Sequence, residues 1–336
     1  MHTWFGTIRT GMNEITITHL EAGRRLDRFV RKYLPSAPLS LIYKFLRKKQ
    51  IKLNRKGAKG DETLQIGDII TFYLSDETIM GFSQEKTINT CHGSLNIVYE
   101  DANILLVNKP TGLPAHSGVG GSMDNLMGRI LHYLIETGSY TAADNPTFTP
   151  ALCNRLDVNT SGLVTCGKTP LALRWLNGLF KGHEMEKEYW AVVQGTLKGQ
   201  GTIEGYYIKN KKANKTQIIK NNGHAGHPMV ITKYEMVSCN KTHTLLKIWP
   251  VTGRSHQIRA HMASIGYPLA GDVKYGGRIT TYAPGQLLHC YKLTVKKNHA
   301  PDGLPYINGV SWQAEPGQGF YSCLKELFGL IEPSLS

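Results

Sequence analysis

Asp157 is the side chain of this sequence best placed to do chemistry. It lies in Asn154-Arg155-Leu156-Asp157-Val158-Asn159-Thr160-Ser161-Gly162, between an arginine and a Thr-Ser-Gly turn. The strand-like Leu163-Val164-Thr165-Cys166 follows directly. A guanidinium beside a carboxylate favours the ionised form and lowers its pKa by roughly 1 to 3 units. An ionised carboxylate can act as a covalent nucleophile, and a turn exposes it to whatever fills the adjoining cleft. The bland alternative is a structural Arg–Asp pair in an ordinary loop. Arg259 is the second candidate. A helix starting near Arg254 puts Ile258, Met262 and Ile265 on one apolar face, with Arg259 at its edge. From there its donor fork can reach inward to a partner carboxylate in a fixed geometry, Asp157 being one candidate. A surface salt bridge is the competing reading. Tyr189, in Lys187-Glu188-Tyr189, offers a ring that can stack on a base, worth about 1 to 3 kcal/mol. Its competing reading is a buried strand tyrosine.

The elements around these residues mix both kinds. Strands are expected at 97–99, 104–107, 163–166, 189–193, 231–235 and 244–248. Asp124 is a plausible N-cap for a helix bearing Leu126, Ile130, Leu131 and Leu134, and a second helix runs from about Pro170 to Phe180 with Leu171, Trp175 and Leu179 aligned. There is no regular βαβ alternation, which predicts an α+β fold around a largely antiparallel mixed sheet. Residues 209–228 are expected to form an exposed loop or hairpin, and residues 118–121 a turn.

Upstream lies a different kind of sequence. Leu26, Phe29, Val30 and Tyr33 recur at helical spacing, as do Leu39, Ile42, Tyr43 and Leu46 after Pro35 and Pro38. The opposite faces carry Arg28, Arg31, Lys32, Lys44, Arg47, Lys48 and Lys49, and Lys52 follows in a short strand. The chain has 336 residues and a formal charge of +14, of which residues 20–60 supply +11. So concentrated an excess reads as a footprint for a polyanion rather than a solvated face. With 41% hydrophobic residues the composition is globular and allows two domains. No apolar run approaches the ~20 residues of a membrane span, and the first residues lack a signal-peptide core. Residues before Met12 read as a loose leader. Six scattered cysteines suit a reducing cytoplasm and form neither a disulfide framework nor a zinc site.

The run 154–162 resembles the catalytic motif of the RluA-type RNA pseudouridine synthases. Four further segments fall where that family has them: "VYEDANILLVNKPTGLPAHSG" (98–118), "KEYWAVVQG" (187–195), "TGRSHQIRAHMASIGYPLAGDVKYGG" (252–277) and "LLHCYKL" (287–293). Asn154, Ser255 and Ala260 replace the family's more usual His, Thr and larger apolar residue. The resemblance implies conversion of uridine to pseudouridine, with Asp157 attacking the sugar or the base. It further implies Tyr189 near the proton that leaves carbon 5, Arg259 facing the carboxylate, and Arg155 filling the space of the extruded base. A second structural partner of Asp157 is an equal reading for Arg155. Arg254 and His256 join the substrate-binding set.

Residues 13–75 resemble the S-four RNA-binding domain, named after a ribosomal protein. The expected organisation is thus 13–75 for RNA binding, a polar linker at 76–95, and a catalytic domain at 96–330. Large-subunit ribosomal RNA is the expected target and transfer RNA the runner-up, with no cofactor, no metal and no membrane, in a monomer. The alternative from another class is a non-catalytic RNA-binding ribosome-assembly factor on the same scaffold. A third reading is an NTPase, because Gly162–Thr169 literally matches G-x-x-x-x-G-K-[ST]. Its middle residues look like a strand, which argues against a phosphate loop. His256 and His261 lack ligand partners at metal spacing and read as structural or RNA-contacting.

Overall fold

Leu26, Phe29 and Val30 are buried on one side of helix α1 (Leu26–Tyr33), and Ile42, Phe45 and Leu46 on one side of α2 (Leu39–Arg47). The computed structural model describes residues 13–18, 21–83, 89–117, 124–141, 147–210, 215–219, 226–297 and 304–330. The leader before Met12 and the turn at 118–121 lie outside them. The two helices pack on a four-stranded antiparallel sheet made of β1 (Asn13–Thr16), β2 (Ile51–Leu53), β3 (Lys56–Gly57) and β4 (Ile69–Phe72), in the order β1-β4-β2-β3. Ile51, Leu64, Ile70 and Phe72 complete this core. A fully buried Phe29 or Phe72 stabilises it by about 1.5–3 kcal/mol.

The polar stretch 76–95 does not begin as an irregular connection. Helix α3 (Asp76–Phe82) opens it, started by Ser75, whose Oγ accepts the Thr78 N–H, and by Asp76 and Glu77 in the first turn. Its Ile79 is buried in the same core. The chain divides into two compact units. One holds the described residues up to 89 with 134–150 and 169–171; the other holds 90–133, 151–168 and those from 172 onward.

The second unit is organised by an eleven-stranded sheet. Its strands are β5 (Ile97–Glu100), β6 (Ile104–Lys109), β7 (Ala151–Leu152), β8 (Ser161–Gly167), β9 (Met185–Gln194), β10 (Gln200–Asn210), β11 (Lys215–Ile219), β12 (Met229–Cys239), β13 (His243–Pro250), β14 (Leu288–Val295) and β15 (Ser311–Gln313). The main order is β11-β10-β12-β13-β9-β14-β8-β6-β5, with β15 on β14 and β7 on β8. Among the described residues only β8 and β14 pair in parallel. The expected α+β class with a mixed, mainly antiparallel sheet is what the chain adopts. Of the stretch 209–228, the described residues place the end of β10 against β11, with Asn210 opposite Lys215.

Strand alternation explains the layers on this sheet. Ala191 and Val193 of β9 point to helix α6 (Gln257–Ser264), where Ile258 and Met262 are buried. Trp190 and Val192 point the other way, to Phe320, Cys323 and Leu324 of the C-terminal helix (Gln318–Phe328). Two helices differ in detail from the expectation. In α4 (Leu126–Glu136) the cap is Asn125, whose Oδ1 accepts the Gly128 N–H at 2.9 Å, while Asp124 chelates Arg129. In α5 (Pro170–Lys181) the buried stripe is Ala172, Leu176 and Leu179, not Leu171 and Trp175. No helix among the described residues is long and apolar enough to cross a membrane.

Candidate active site

Asp157 stands on the loop between β7 and β8, and the loop is fastened at several points. Asn154 Oδ1 accepts the Thr165 N–H at 2.8 Å and its Nδ2 donates to Leu163 O at 3.1 Å. The Thr160 N–H closes a turn onto Asp157 O at 3.0 Å, and Gln286 Nε2 donates to Thr160 Oγ1 at 2.9 Å. Gly162, at φ 111°, starts the parallel pairing with β14, and a Cβ there would overlap the Cys290 backbone. Only glycine permits both that dihedral and that approach. From below, the fully buried Lys109 at the end of β6 donates to Pro110 O, Leu113 O and Val158 O at 2.8, 2.8 and 2.9 Å. All three ammonium protons thus tie the Lys-Pro turn to the residue after Asp157. Burial pulls Lys109 down to about 8, and the Asp157 charge resists.

Helix α6 brings the arginine. It begins at Gln257 rather than near Arg254, because His256 takes a left-handed φ of 56°. The buried Gln257 knits the entry: its Oε1 accepts the Arg254 N–H and the Thr252 hydroxyl, and its Nε2 donates to Ile231 O and Thr232 Oγ1. Arg259 then points inward. Its Nε and one terminal nitrogen clamp Asp272 at 2.7 Å each, and the other donates to Asp157 Oδ2 at 2.8 Å. Burial alone would lower the Arg259 pKa; the bonds to Asp272 and then Asp157 push it further up instead. Asp272 is fully buried and fixes the fork, so the free edge of the guanidinium is aimed at Asp157. His256 Nε2 faces the same carboxylate oxygen at 3.8 Å.

Tyr189 lies on the α6 side of β9, and its hydroxyl pKa is raised well above the usual value, chiefly by burial, then by Cys290 and Asp157. It is protonated at neutral pH and offers a ring face and an O–H donor. Asp157, Arg155, Tyr189, Arg254, His256 and Arg259 all line one cleft of about 1060 Å³, joined by Lys187, Lys209 and Lys274. That volume matches the upper end of the ~300–1,000 Å³ of ordinary ligand pockets, enough for a nucleotide. Arg155 is exposed on the lip and makes no hydrogen bond or ion pair to Asp157. Arg254 is likewise exposed.

The eight basic residues of the N-terminal region lie on the other compact unit. Arg28, Arg31, Lys32, Lys44, Arg47, Lys48 and Lys49 are exposed, and Lys52 is half-buried with Nζ 4.6 Å over the Tyr73 ring. The phosphate-loop match is excluded: its first residues are strand β8, and Lys168 is bound to Glu100 Oε1 at 2.6 Å and Asp101 O at 2.7 Å. His261 is a buried partner of Thr232, pushed down to about 4 by burial. Sequence reasoning gave no role to Lys109, Asp272 or Tyr275. For Lys109 and Asp272 the available signal was a charged residue inside an otherwise apolar or glycine-rich segment; Tyr275 carried none.

Residues 103–264 match the family model described as RNA pseudouridylate synthase. The ribosomal large subunit pseudouridine synthase C of Vibrio cholerae is 30% identical over 277 residues, 81% of this chain and 82% of that one. Its Escherichia coli K12 namesake is 31% identical, covering 79% and 80%. The chain belongs to the RluA-type RNA pseudouridylate synthases. As a member it is an isomerase that converts uridine in RNA to pseudouridine. A Bacillus subtilis relative, the uncharacterized RNA pseudouridine synthase YlyB, is 30% identical over 83% of this synthase and 88% of its own length. The fold matches a solved human structure, RNA pseudouridylate synthase domain containing 4, with a TM-score of 0.54 at 20% identity, over 69% of this chain and 92% of that one.

Proposed function

We propose that this synthase isomerises uridine in large-subunit ribosomal RNA, with Asp157 as nucleophile. The observation that supports the assignment most directly is the Asp157–Arg259–Asp272 chain. A carboxylate held by the free edge of an otherwise locked guanidinium is fixed in orientation toward the cleft. The uridine is extruded from the RNA at a cost of a few kcal/mol. Asp157 attacks the anomeric carbon or the pyrimidine ring, and the bond between ribose and N1 breaks. The uracil turns and rejoins through carbon 5, the bond to Asp157 breaks to release the carboxylate, and the carbon-5 proton leaves while N1 gains one. Atoms and charge balance without an oxidant, a phosphoryl donor or an outside nucleophile. Tyr189 stacks on the extruded base and places its hydroxyl near that leaving proton. Arg155, exposed and free of Asp157, is positioned to fill the vacated space.

The named targets of the Vibrio and Escherichia relatives support the ribosomal assignment, as does a basic surface suited to a long RNA. In this reading residues 13–75 are the S-four-like docking domain, 76–95 connect, and 96–330 carry catalysis. Arg254, His256 and the eight basic N-terminal residues bind RNA. The protein works as a monomer in the cytoplasm, where its six free thiols stay reduced.

The test is pseudouridine formation in ribosomal RNA lacking the modification, with wild type and Asp157→Ala and nothing added. Conversion by wild type alone supports both the reaction and its nucleophile. Conversion of transfer RNA but not ribosomal RNA overturns the target. Tight RNA binding with no conversion of either RNA overturns the catalytic assignment and leaves the assembly-factor reading.

A further inference from the structure

Tyr275 joins the two side chains that face Asp157. Its hydroxyl lies 2.9 Å from His256 Nδ1 and accepts the Thr216 backbone N–H at 2.8 Å. The Arg259 guanidinium sits over its ring, 5.0 Å from the centroid, and the His256 ring meets it edge-on at 5.8 Å. Only 7% of Tyr275 is exposed.

Hydrogen-bond roles can be worked out from this arrangement. The Thr216 N–H can only donate, so it occupies a lone pair of the phenol oxygen, and the phenol proton is left for an acceptor. His256 Nδ1, 2.9 Å away, is taken as that acceptor; the Thr216 hydroxyl, also beside the phenol, is engaged with Ser255 O at 3.2 Å. With Nδ1 so engaged, a neutral imidazole carries its proton on Nε2. Nε2 is the atom that faces Asp157 Oδ2. The left-handed backbone of His256 costs on the order of 1–3 kcal/mol for a residue with a side chain, and such strain persists where the surroundings over-determine it.

We propose that Tyr275 is a positioning residue for the isomerisation: it holds His256 neutral, with Nε2–H directed at Asp157. This rests on the reading of Asp157 as nucleophile. Arg259 already gives the carboxylate a charged donor, with its charge shared with Asp272. An imidazolium beside it would stabilise the anion further and blunt its attack, whereas a neutral N–H orients it at little cost in reactivity. Five groups face His256: Asp157 on its loop, Arg259 on α6, and Asp272, Lys274 and Tyr275 on the turn after it. Burial lowers the His256 pKa and Asp157 opposes; Arg259 and Lys274 lower it too, against Asp272. The net direction keeps the ring neutral near pH 7. Thr216 belongs to β11, so the pairing of β10 with β11 also sets where the phenol stands.

Two readouts test this on the full-length protein. Nitrogen NMR with labelled histidine, assigned with His256→Gln, is expected to show His256 protonated on Nε2 alone at pH 7. Single-turnover rates against pH on saturating ribosomal RNA then compare wild type, Tyr275→Phe and His256→Gln. Tyr275→Phe should lose about tenfold, the scale of one hydrogen bond, with RNA affinity unchanged. Its acid limb should move to higher pH, because an unpartnered Nδ1 takes a proton more readily. His256→Gln keeps an amide N–H donor that does not titrate, so its acid limb should flatten. A doubly protonated or Nδ1-protonated ring, or a Tyr275→Phe profile superimposable on wild type, would overturn the proposal. If wild type converts no uridine, the nucleophile reading fails, and the NMR result judges the tautomer by itself.

Discussion

At the candidate site of the large unit the key charges are few, largely buried and held at fixed distances: Asp272 clamps Arg259, Arg259 holds Asp157, and Lys109 spends three donors on three carbonyls. In the small unit the basic residues are many and mostly exposed, spread over the outer faces of α1 and α2. The first arrangement concentrates free energy in single contacts, because removing one partner of a buried pair strands the other. The second distributes it, because each exposed charge is screened and replaceable. One region therefore works by geometry and the other by sum of charge.

The largest effect is expected at the nucleophile. Asp157→Asn should lower the single-turnover rate by at least ~1,000-fold, the scale on which removing a catalytic nucleophile acts, with RNA affinity retained. Next comes Arg259→Ala, which frees Asp157 and strands the buried Asp272. It should lose on the order of 100-fold in rate and, as a broken buried pair, about 3–5 kcal/mol of stability by denaturant titration. Arg259→Lys, unable to hold both carboxylates at once, should recover little of the rate.

Lys109 sharpens the comparison through pH. Losing its proton near pH 8 removes a donor from the cage behind Val158, so the rate should fall on the alkaline side with a midpoint near there. Tyr189, raised well above its usual value, cannot supply that limb. For folding the sign is opposite. The folded pKa of about 8 lies below that of a free lysine, so between about 8 and 10.5 the unfolded chain binds more protons and the folded state gains as pH rises. Wild type should therefore gain stability relative to Lys109→Met across that window, read by thermal melts at each pH.

The smallest effects belong to the basic unit. Reversing Arg47, Lys48 and Lys49 together should weaken RNA binding about tenfold and flatten its salt dependence, at roughly 0.7 in log–log slope per lost phosphate contact. The rate at saturating RNA should stay unchanged. Arg28→Ala alone should cost about twofold or less in affinity, as one exposed charge does. A single exposed arginine as costly as Arg259 would break the distinction between the two regions.

Legibility in the sequence follows the same division. Asp157 and Arg259 could be picked out from short contiguous patterns, a turn before a strand and a helical stripe, whereas Tyr189 stood out through the family resemblance of 187–195, since an alternating strand alone reads as a buried tyrosine. The exposed basic faces followed from helical spacing and a count of charges. Partnerships between distant segments could not be read. Asp272 locks Arg259 only because a tight turn folds back under α6, and Lys109 finds its carbonyls only when three separate stretches converge. Local competition hid other details. Asn125 displaced Asp124 as a cap because Asp124 is taken by Arg129. The α6 start moved to Gln257 because His256 is strained, and Ser75 started a helix in a stretch whose composition suggested a linker.

Strand β9 carries one more consequence. Lys187 and Tyr189 look into the cleft, while Glu186 and Glu188, between and beside them, line a pocket with Lys292 and Ser311. Neighbouring residues of a strand point to opposite sides. A partition one chain thick thus bears a lysine on the cleft side and, on its back, two carboxylates beside Lys292, so the two faces of a single strand differ in charge without any added domain.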